Sequence, residues 1–275
     1  MNRRGFLSAA NEQQKLTMRP ADLRLRAARP SSLPCKICGA PSALYGVTDF
    51  SRPCDIGAPM PPVSGLPVYY RRCETCGFLF TDAFDDWDIG EFKTHIYNDD
   101  YVKYDPDYLE ARPSGNASWV AQFWSEHKSG MRVLDYGGGN DVLCSSLRAS
   151  GFKEAVTYDP MVAEHALQPS GKFDLVTCFE TMEHLPDPIA GIGKMVEFVA
   201  DPGAVLYTTL VQPDDLPKTG MSWWYIGPRN GHVSIFTRQA LAAAWGKYGF
   251  KTASFSELLH IAFRTLPENW RMKVQ

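Results

Sequence analysis

The sequence predicts an α/β fold in which a largely parallel sheet follows a small, separately folded amino-terminal module. Two observations predict the sheet: the apolar run Val133–Tyr136 enters three glycines, and a second apolar run ends at Asp159 about twenty residues later. Strands alternating with helices build parallel sheets, because a crossover must return the chain to the same edge. The third observation, two matched pairs of cysteines before residue 80, predicts the separate module.

Composition and charge describe a globular chain with one basic segment. The 275 residues are 44% hydrophobic and 21% charged, with a formal net charge of −3, which argues against a broad nucleic-acid surface. Residues 1–32 are rich in arginine and predict a flexible basic arm. The Arg3-Arg4 pair lacks the apolar segment of an export signal, and no run approaches the roughly eighteen apolar residues of a membrane span. We therefore expect a cytoplasmic protein.

Two C-x-x-C-G motifs indicate a metal site. They contain Cys35 and Cys38, then Cys73 and Cys76. Four thiolates close a tetrahedron around a structural Zn²⁺, and the glycine after each pair lets the backbone fold back beneath the metal. Disulfides would need an oxidising compartment, and a redox motif would need a thioredoxin-like context. The sequence thus predicts a zinc-ribbon-like module over residues 33–82. The remaining cysteines are interpreted as buried small hydrophobic residues: Cys54, Cys144 and Cys178.

The glycine run predicts the edge of the sheet at which a nucleotide-like ligand binds. The stretch Asp135–Gly139 ends a strand in residues that have no Cβ, so the backbone can approach a ligand closely. Asp159 ends the next strand at the spacing at which such folds hydrogen-bond a ribose diol. The glycine spacing departs from the G-x-G-x-x-G pattern of dinucleotide sites. An NAD site is therefore disfavoured, and a purely structural turn is the other alternative.

The later strands and helices follow in the order of an open α/β sheet. Phe173–Glu180 predicts a buried parallel strand, with a helical stretch after it. Residues 203–210 predict another strand, Thr237–Tyr248 a capped amphipathic helix, and residues 250–265 an antiparallel pair of strands. Too few residues separate Asp159 from the run at Phe173 for a full crossover and a further strand. We therefore expect the third strand to be short or absent.

Residues 112–265 resemble a class I S-adenosylmethionine methyltransferase. The run from Asp135 is similar to that family's motif D-x-G-x-G-x-G, with Asp141 in place of its last glycine, and Glu183–Pro188 resembles its E-H-x-x-D-P turn. The resemblance implies a Rossmann-like methyltransferase sheet over residues 112–275 and S-adenosyl-L-methionine as the cofactor. The residues expected to bind it are Asp135, Tyr136, Gly137, Gly138, Gly139, Asp159, Phe179, Glu180 and Tyr101.

The amino-terminal module makes the resemblance more specific. A cysteine motif, a loop rich in proline and glycine, and the run Pro67–Phe78 resemble the zinc module of the sugar-nucleotide C-methyltransferases. In that family the module precedes a methyltransferase domain and helps to cover the substrate cleft. The chain has no match to that family's additional carboxy-terminal domain, which holds much of the sugar nucleotide. The acceptor class is therefore left open.

Two histidines are candidate catalytic bases. The sugar C-methyltransferases carry a segment E-H-L-S-Y-F-S whose histidine is associated with proton removal. The segment His232–Thr237 is similar from the histidine onward, with Gly231 in place of the glutamate. An imidazole with an ordinary pKa of about 6.5 suits this role, and a well-placed base adds about 10²–10⁴ in rate. The alternative for His232 is a structural hydrogen bond to the backbone. His184, in the E-H turn, is the second candidate.

Aromatic residues before the domain are candidates for a lid. Residues 83–111 are interpreted as a linker or lid, and four tyrosines lie within them: Tyr97, Tyr101, Tyr104 and Tyr108. Aromatic faces attract a sulfonium by about 0.5–2 kcal/mol, which favours a functional role for Tyr97 or Tyr101. The alternative is a packed linker. Trp223 and Trp224 line the acceptor cleft or serve as packing anchors.

These observations predict a methyltransferase that acts on a small polar acceptor, a sugar or sugar nucleotide, at carbon or oxygen. One alternative is an RNA or protein methyltransferase that uses the zinc module for recognition. The other is a catalytically degenerate cofactor-binding module. The expected partner is a small-molecule acceptor, with no membrane and no nucleic acid. The sequence does not predict an oligomeric state.

Overall fold

The computed structural model describes residues 32–54 and 60–273. The predicted basic arm lies outside the described residues except for its last position. Two sheets organise the described part of the chain, a small antiparallel one and a larger, mostly parallel one. Within the described ranges, no helix is long and apolar enough to cross a membrane.

The small sheet has five antiparallel strands in the order β1-β2-β3-β4-β9. The strands are β1 Ser32–Pro34, β2 Pro41–Asp49, β3 Pro67–Cys73, β4 Leu79–Thr81 and β9 Ser234–Ile235. The chain reverses at the two cysteine motifs, one between β1 and β2 and the other between β3 and β4. Leu79 pairs with Ile235. The segment immediately after His232 therefore belongs to the same sheet as the cysteine motifs.

The large sheet has six strands in the order β10-β11-β8-β7-β5-β6. The strands are β5 Arg132–Tyr136, β6 Glu154–Tyr158, β7 Phe173–Cys178, β8 Val199–Thr208, β10 Lys251–Ser254 and β11 Leu259–Phe263. Strands β5 to β8 are parallel, whereas β10 and β11 form a hairpin that pairs antiparallel with β8. The sheet is a Rossmann-like mixed sheet, and the predicted closing hairpin is confirmed.

Four helices cover the two faces of the large sheet: α2 Ala111–Phe123, α3 Val142–Ala149, α4 Pro188–Val196 and α6 Arg238–Gly246. The shorter helices α1 Ile89–His95 and α5 Leu216–Thr219 pack in the cluster of the small sheet. Successive strand residues point to opposite faces: Val133 and Leu175 pack in the cluster with α2 and α3, whereas Leu134 and Val176 pack in the cluster with α4 and α6. The second cluster also contains the buried cysteines of the small sheet. The two sheets therefore share one core.

Two sequence-based expectations about local structure hold. Between β6 and β7 the chain forms only a short 3₁₀ turn, Ala163–His165, and β6 is an edge strand, so the third strand is absent as expected. Thr237 caps α6, its hydroxyl accepting a hydrogen bond from the Ala240 amide at 2.9 Å. The same hydroxyl donates to the Cys76 carbonyl at 2.6 Å, which ties the second cysteine motif to the large domain.

Candidate functional site

The glycine loop after β5 lies at the carboxyl edge of the parallel strands. Gly137 has φ +78° and Gly139 has φ +57°, a region that favours glycine because a Cβ is crowded there. The Gly137 amide donates to the Tyr158 carbonyl at 2.8 Å, and the Gly139 amide donates to Asp159 Oδ2 at 3.0 Å. The loop is thus tied to the end of β6, with the Asp159 carboxylate beside it.

Asp141 preserves the backbone turn although it replaces the glycine of the motif. It has φ 65° and ψ 11° at the start of α3, a left-handed conformation that aspartate adopts more readily than most residues. Its carboxylate accepts a hydrogen bond from the Thr157 hydroxyl at 2.6 Å and pairs with Arg148 at 2.5 Å. The departure from the motif therefore changes the side chain without changing the path of the loop.

The buried side chain of Asp135 contacts the glycine loop. Its carboxylate accepts a hydrogen bond from the Thr177 hydroxyl at 2.6 Å. Burial raises the pKa of Asp135 to about 7. A Cβ on Gly138 would lie 2.4 Å from Asp135 Oδ2, so only glycine fits at that position. Asp135 therefore positions the loop by direct contact.

Two other predicted cofactor residues pack against the core. The Tyr136 ring lies edge-on to Tyr158 at 5.5 Å and also faces Phe198 in the buried cluster. Phe179 is partly buried against the cluster beneath α2 and α3. The structure brings the glycine loop and Asp159 together, and the rings of these two aromatic residues pack against the core.

The turn after β7 lies directly against the glycine loop. A Cβ on Gly137 would come within 2.6 Å of the Thr181 hydroxyl. Glu180 precedes this threonine with φ 49°, and its carboxylate accepts a hydrogen bond from the Thr208 hydroxyl at 2.8 Å. Burial, followed by repulsion from Glu183, raises the pKa of Glu180 to about 7. A predicted cofactor residue and the E-H turn thus meet at one end of the sheet.

The side chains of the two candidate bases, His184 and His232, lie next to each other. Their ring centroids are 5.0 Å apart. His184 Nδ1 lies 3.1 Å from the Gly231 carbonyl, and His232 Nδ1 lies 2.8 Å from the Tyr225 carbonyl. A carbonyl oxygen only accepts, so each Nδ1 carries the proton and each Nε2 keeps a lone pair. Burial lowers the pKa of both imidazoles.

Glu183 is the third member of this group, and the sequence interpretation did not single it out. One ligand atom from each of Glu183, His184 and His232 lies within 4.8 Å of the other two; we name these three residues the Glu–His–His cluster. The Glu183 side chain is fully buried and neither carboxylate oxygen has a hydrogen-bond partner, although the Tyr225 and Thr209 hydroxyls lie close enough to favour its charged form. Burial raises its pKa to about 7. Its position next to His184 was the only signal in the sequence.

Gly231 explains why the glutamate of the resembling segment is missing here. Gly231 has φ +82°, and a Cβ there would lie 3.2 Å from both His184 Nδ1 and Ile96 Cγ2. Any side chain at this position is strained and crowds the first histidine. The backbone conformation and these tight contacts therefore disfavour a glutamate at this position.

Gly231→Ala is expected to lower the free energy of unfolding by about 1–3 kcal/mol, the usual cost of a disfavoured backbone conformation. Urea denaturation of the purified variant measures this loss. Gly115→Ala is the matched control, because Gly115 is exposed in α2 and a Cβ there meets nothing within 4 Å. Equal stability of the two variants would show that the Gly231 turn is not strained.

One tyrosine of the predicted lid, Tyr97, contacts the Glu–His–His cluster directly. The Tyr97 ring lies edge-on to His184 at 5.8 Å. Tyr101 is buried and packs against Tyr97 at 5.1 Å and Tyr108 at 4.9 Å. The Arg229 guanidinium lies 4.3 Å from the centre of the Tyr104 ring. These contacts hold the tyrosine segment on the loop that carries His232.

The tryptophans and Cys54 lie on the other side of His232. Trp223 is buried and packs on Tyr225, whereas Trp224 is 43% exposed. Cys54 Sγ lies 3.2 Å from His232 Nδ1. Cys54 is therefore not part of the four-cysteine group. It is buried like Cys144 and Cys178, as the sequence interpretation expected of all three.

The four motif cysteines converge in the small sheet. The Sγ–Sγ distances are 3.7 Å from Cys35 to Cys76, 3.5 Å from Cys38 to Cys73 and 3.7 Å from Cys38 to Cys76. Backbone amides point at the sulfurs, since the Ile37 amide lies 3.4 Å from Cys35 Sγ. All four thiols are free of disulfides. The predicted ligand set is thus brought together.

The fold and its glycine loop define an α/β domain of the nucleotide-cofactor kind, and comparison with known proteins identifies its family. Residues 108–254, more than half of the chain, match the methyltransferase domain family. The chain belongs to this family. The matched region contains the glycine loop and both candidate bases, and the predicted methyltransferase class is confirmed.

Curated relatives and solved structures carry methyltransferase names. The ubiquinone biosynthesis O-methyltransferase of Aromatoleum aromaticum is 30% identical over 113 residues, which cover 32% of this chain and 48% of the relative. The enzyme of the same name from Escherichia coli O139:H28 is 28% identical over 117 residues, covering 34% and 46%. The chain spans about half the length of the curated relatives it matches.

Two solved structures of methyltransferases align with part of this chain. Magnesium protoporphyrin IX methyltransferase from Synechocystis PCC 6803, solved with bound SAH, is 18% identical with a TM-score of 0.42, covering 55% of this chain and 83% of that chain. The mitomycin 7-O-methyltransferase MmcR is 11% identical with a TM-score of 0.48, covering 65% and 61%.

Proposed function

We propose that this chain is an S-adenosylmethionine-dependent class I methyltransferase that acts on a small polar acceptor, with a sugar or sugar nucleotide as the favoured class. When bound, the cofactor supplies an activated methyl group on a sulfonium sulfur. The observation that carries the proposal is the contact between the glycine loop and the turn that leads into the Glu–His–His cluster. A binding loop and a pair of bases are thereby adjacent.

The residues of the loop fit this cofactor. Gly139 has no atom within 4 Å of the place where a Cβ would stand, which leaves space for a close approach to the backbone. Asp159 accepts hydrogen bonds from the Gly139 and Met161 amides, which orients its carboxylate for a ribose diol. We assign binding to Gly137, Gly138, Gly139, Asp159 and Glu180. Tyr101 provides an aromatic face, while Asp135, Tyr136 and Phe179 support the loop.

The two histidines suit removal of a proton from the acceptor. Because burial lowers the pKa of His184 and of His232, both imidazoles are neutral near pH 7 and hold a lone pair on Nε2. A neutral imidazole beside the acceptor takes the proton as the methyl group arrives. We therefore assign these two histidines as the candidate catalytic residues. Their role is to accept a proton from the acceptor.

A small acceptor fits the enclosure of the site. His232 is 7% exposed and Tyr101 is 3% exposed, and the tyrosine segment lies over them. A macromolecular acceptor needs an open groove, whereas a small molecule is enclosed together with the cofactor. The curated relatives are named as O-methyltransferases of ubiquinone biosynthesis, so phenolic acceptors belong in the same screen.

We propose that the four-cysteine group binds one structural Zn²⁺. A tetrahedron with Zn–S bonds of about 2.3 Å separates its sulfurs by about 3.8 Å, which fits the observed 3.5 and 3.7 Å. Four thiolates leave no open coordination position, so this metal has no catalytic role. We accordingly keep the proposed organisation of a zinc module over residues 33–82, a lid over 83–111 and a methyltransferase domain over 112–275.

Isothermal titration with S-adenosylhomocysteine and, in parallel, with NAD tests the proposed function. We expect S-adenosylhomocysteine to bind with one site per chain and NAD not to bind. Binding of NAD alone would overturn the enzyme class, and binding of neither would indicate a degenerate module. Once binding is established, release of S-adenosylhomocysteine with nucleotide sugars or with phenols as acceptors separates the two acceptor classes.

A further inference from the structure

We propose that Glu183 is the positioning residue for the two candidate bases, a negative charge that stabilises the imidazolium formed when the acceptor loses its proton. This inference rests on the proposed function and deepens it. It assigns a role to a residue that the resemblance does not mark as part of the acid–base machinery.

The glutamate of the resembling segment is missing from this chain. In the resembling family a glutamate directly precedes the histidine of the E-H-L-S-Y-F-S segment, whereas Gly231 stands there in this chain. Glycine has no carboxylate, and a Cβ at Gly231 would make a tight contact of 3.2 Å with His184 Nδ1 at a positive φ. A carboxylate partner for His232 must come from another segment.

Glu183 supplies a carboxylate from the segment that runs beside His232. The Val233 amide donates to the Glu183 carbonyl at 2.9 Å, and the Ser234 hydroxyl donates to the Leu185 carbonyl at 2.6 Å. The two segments therefore run side by side. They bring a ligand atom of Glu183 within 4.8 Å of one on each histidine. An opposite charge within about 4–6 Å favours the protonated imidazole.

The Glu183 side chain is fully buried, and no basic side chain in the part of the chain that the structure describes is paired with it. The hydroxyls of Tyr225 and Thr209 lie close enough to favour its charged form. A buried carboxylate without an opposite charge is costly, and such groups concentrate at sites where the charge is used. The imidazoles beside it are the groups that become positive when they take a proton.

Other charges also act on the cluster. Burial lowers the pKa of His184, the Glu180 and Asp105 carboxylates raise it, and Arg112 lowers it; Arg112 on α2 is itself paired with Asp105 at 2.6 Å. Among the described residues, Glu183 is the carboxylate that lies within 4.8 Å of both histidines. Tyr97, Tyr225 and Cys54 also face the cluster, and burial raises the pKa of each of the three, so they stay neutral. Burial also raises the pKa of Glu183 and lowers that of both histidines. The affinities of the three groups for a proton are thereby brought closer together.

Proton removal and methyl transfer occur at one atom of the acceptor. An O–H or C–H bond of the acceptor breaks, its proton goes to Nε2 of one imidazole, and its electron pair stays on the acceptor atom. That atom forms the bond to the methyl carbon while the bond from sulfur to that carbon breaks. The charged imidazolium faces Glu183 until the proton leaves to water.

Histidine titrations by NMR on ¹⁵N-labelled protein test the role of Glu183. In Glu183→Gln we expect the pKa of His184 or His232 to fall by about 1 to 3 pH units, because the neighbouring negative charge is lost. Glu183→Asp should restore part of this difference. Glu164→Gln, at an exposed acid in the turn after β6, is the control and should leave both pKa values unchanged. Signals are assigned with His184→Gln and His232→Gln.

Several outcomes separate this inference from the proposed function. Unchanged histidine pKa values in a Glu183→Gln variant that still binds S-adenosylhomocysteine would overturn the role of Glu183 alone. Failure of the wild-type protein to bind S-adenosylhomocysteine would overturn the proposed function. If Glu183→Gln does not fold, the wild-type titration decides: the histidine signals should show a second inflection from the adjacent carboxyl, and a single inflection would refute the coupling. Histidine signals that shift only on addition of Mg²⁺ would assign the cluster to a cation instead.

Discussion

A Cys73→Ser variant is expected to lose its zinc and to unfold the small sheet. Cys73 is 1% exposed, and its Sγ lies 3.5 Å from Cys38 Sγ. Its replacement leaves three thiolates, which do not complete a tetrahedral site for zinc. Binding of Zn²⁺ contributes about 10–16 kcal/mol in small structural sites, which exceeds the total stability of most domains. Metal analysis of the purified variant together with thermal denaturation measures both effects.

Cys144→Ser provides the matched control for this experiment. Cys144 is also a buried free cysteine, but it lies on α3 in the cluster beneath the large sheet. Its replacement should cost some stability and leave about one zinc per chain. Full zinc content in Cys73→Ser would contradict the four-thiolate site. A loss of zinc from both variants would place the metal elsewhere.

A Gly137→Val variant is expected to lose measurable binding of S-adenosylhomocysteine. Gly137 has φ +78°, and its Cβ would meet the Thr181 hydroxyl at 2.6 Å. Valine is branched at Cβ and is poorly tolerated at positive φ. The loop and the E-H turn must therefore separate. We expect at least about a hundredfold loss of affinity, because a small displacement of a binding loop removes several contacts at once.

Isothermal titration measures this loss, and Gly151→Ala is its control. Gly151 also has positive φ, at +92°, but the nearest atom to its Cβ is 3.9 Å away, on Lys128. This variant carries backbone strain without touching the loop. It should unfold at lower urea concentration and still bind S-adenosylhomocysteine. Unchanged affinity in Gly137→Val would show that the cofactor binds at another part of the sheet.

Short-range patterns in the sequence predicted the parts of the molecule that depend on backbone geometry. The cysteine spacing and the glycines after each pair specify turns, and the apolar runs specify strands, because each requires only neighbouring residues. The helix α1 was missed although Asp88 and Glu91 form a capping box, a signal that occurs in the sequence. The four tyrosines of residues 83–111 predict a linker or lid, and α1 is too short to add a helical period to that pattern.

The Glu–His–His cluster depends on contacts that the sequence does not encode locally. Glu183 meets His232 because one turn follows β7 and the other precedes β9. Cys54 reaches His232 from a position 178 residues away. The burial that shifts the pKa values of these side chains arises only when the segments pack together. No periodic pattern in the sequence predicts that packing.

The pairing of β4 with β9 has a consequence for the order of events during synthesis. Leu79 and Ile235 are partners in one sheet, yet most of the large domain lies between them in the chain. At a synthesis rate of about 5–20 residues per second, β9 is made about 8–30 seconds after β4. The exposed edge of β4 is open to wrong pairing during that interval. Early capture of a metal by the cysteines would hold the first four strands together until translation delivers the fifth.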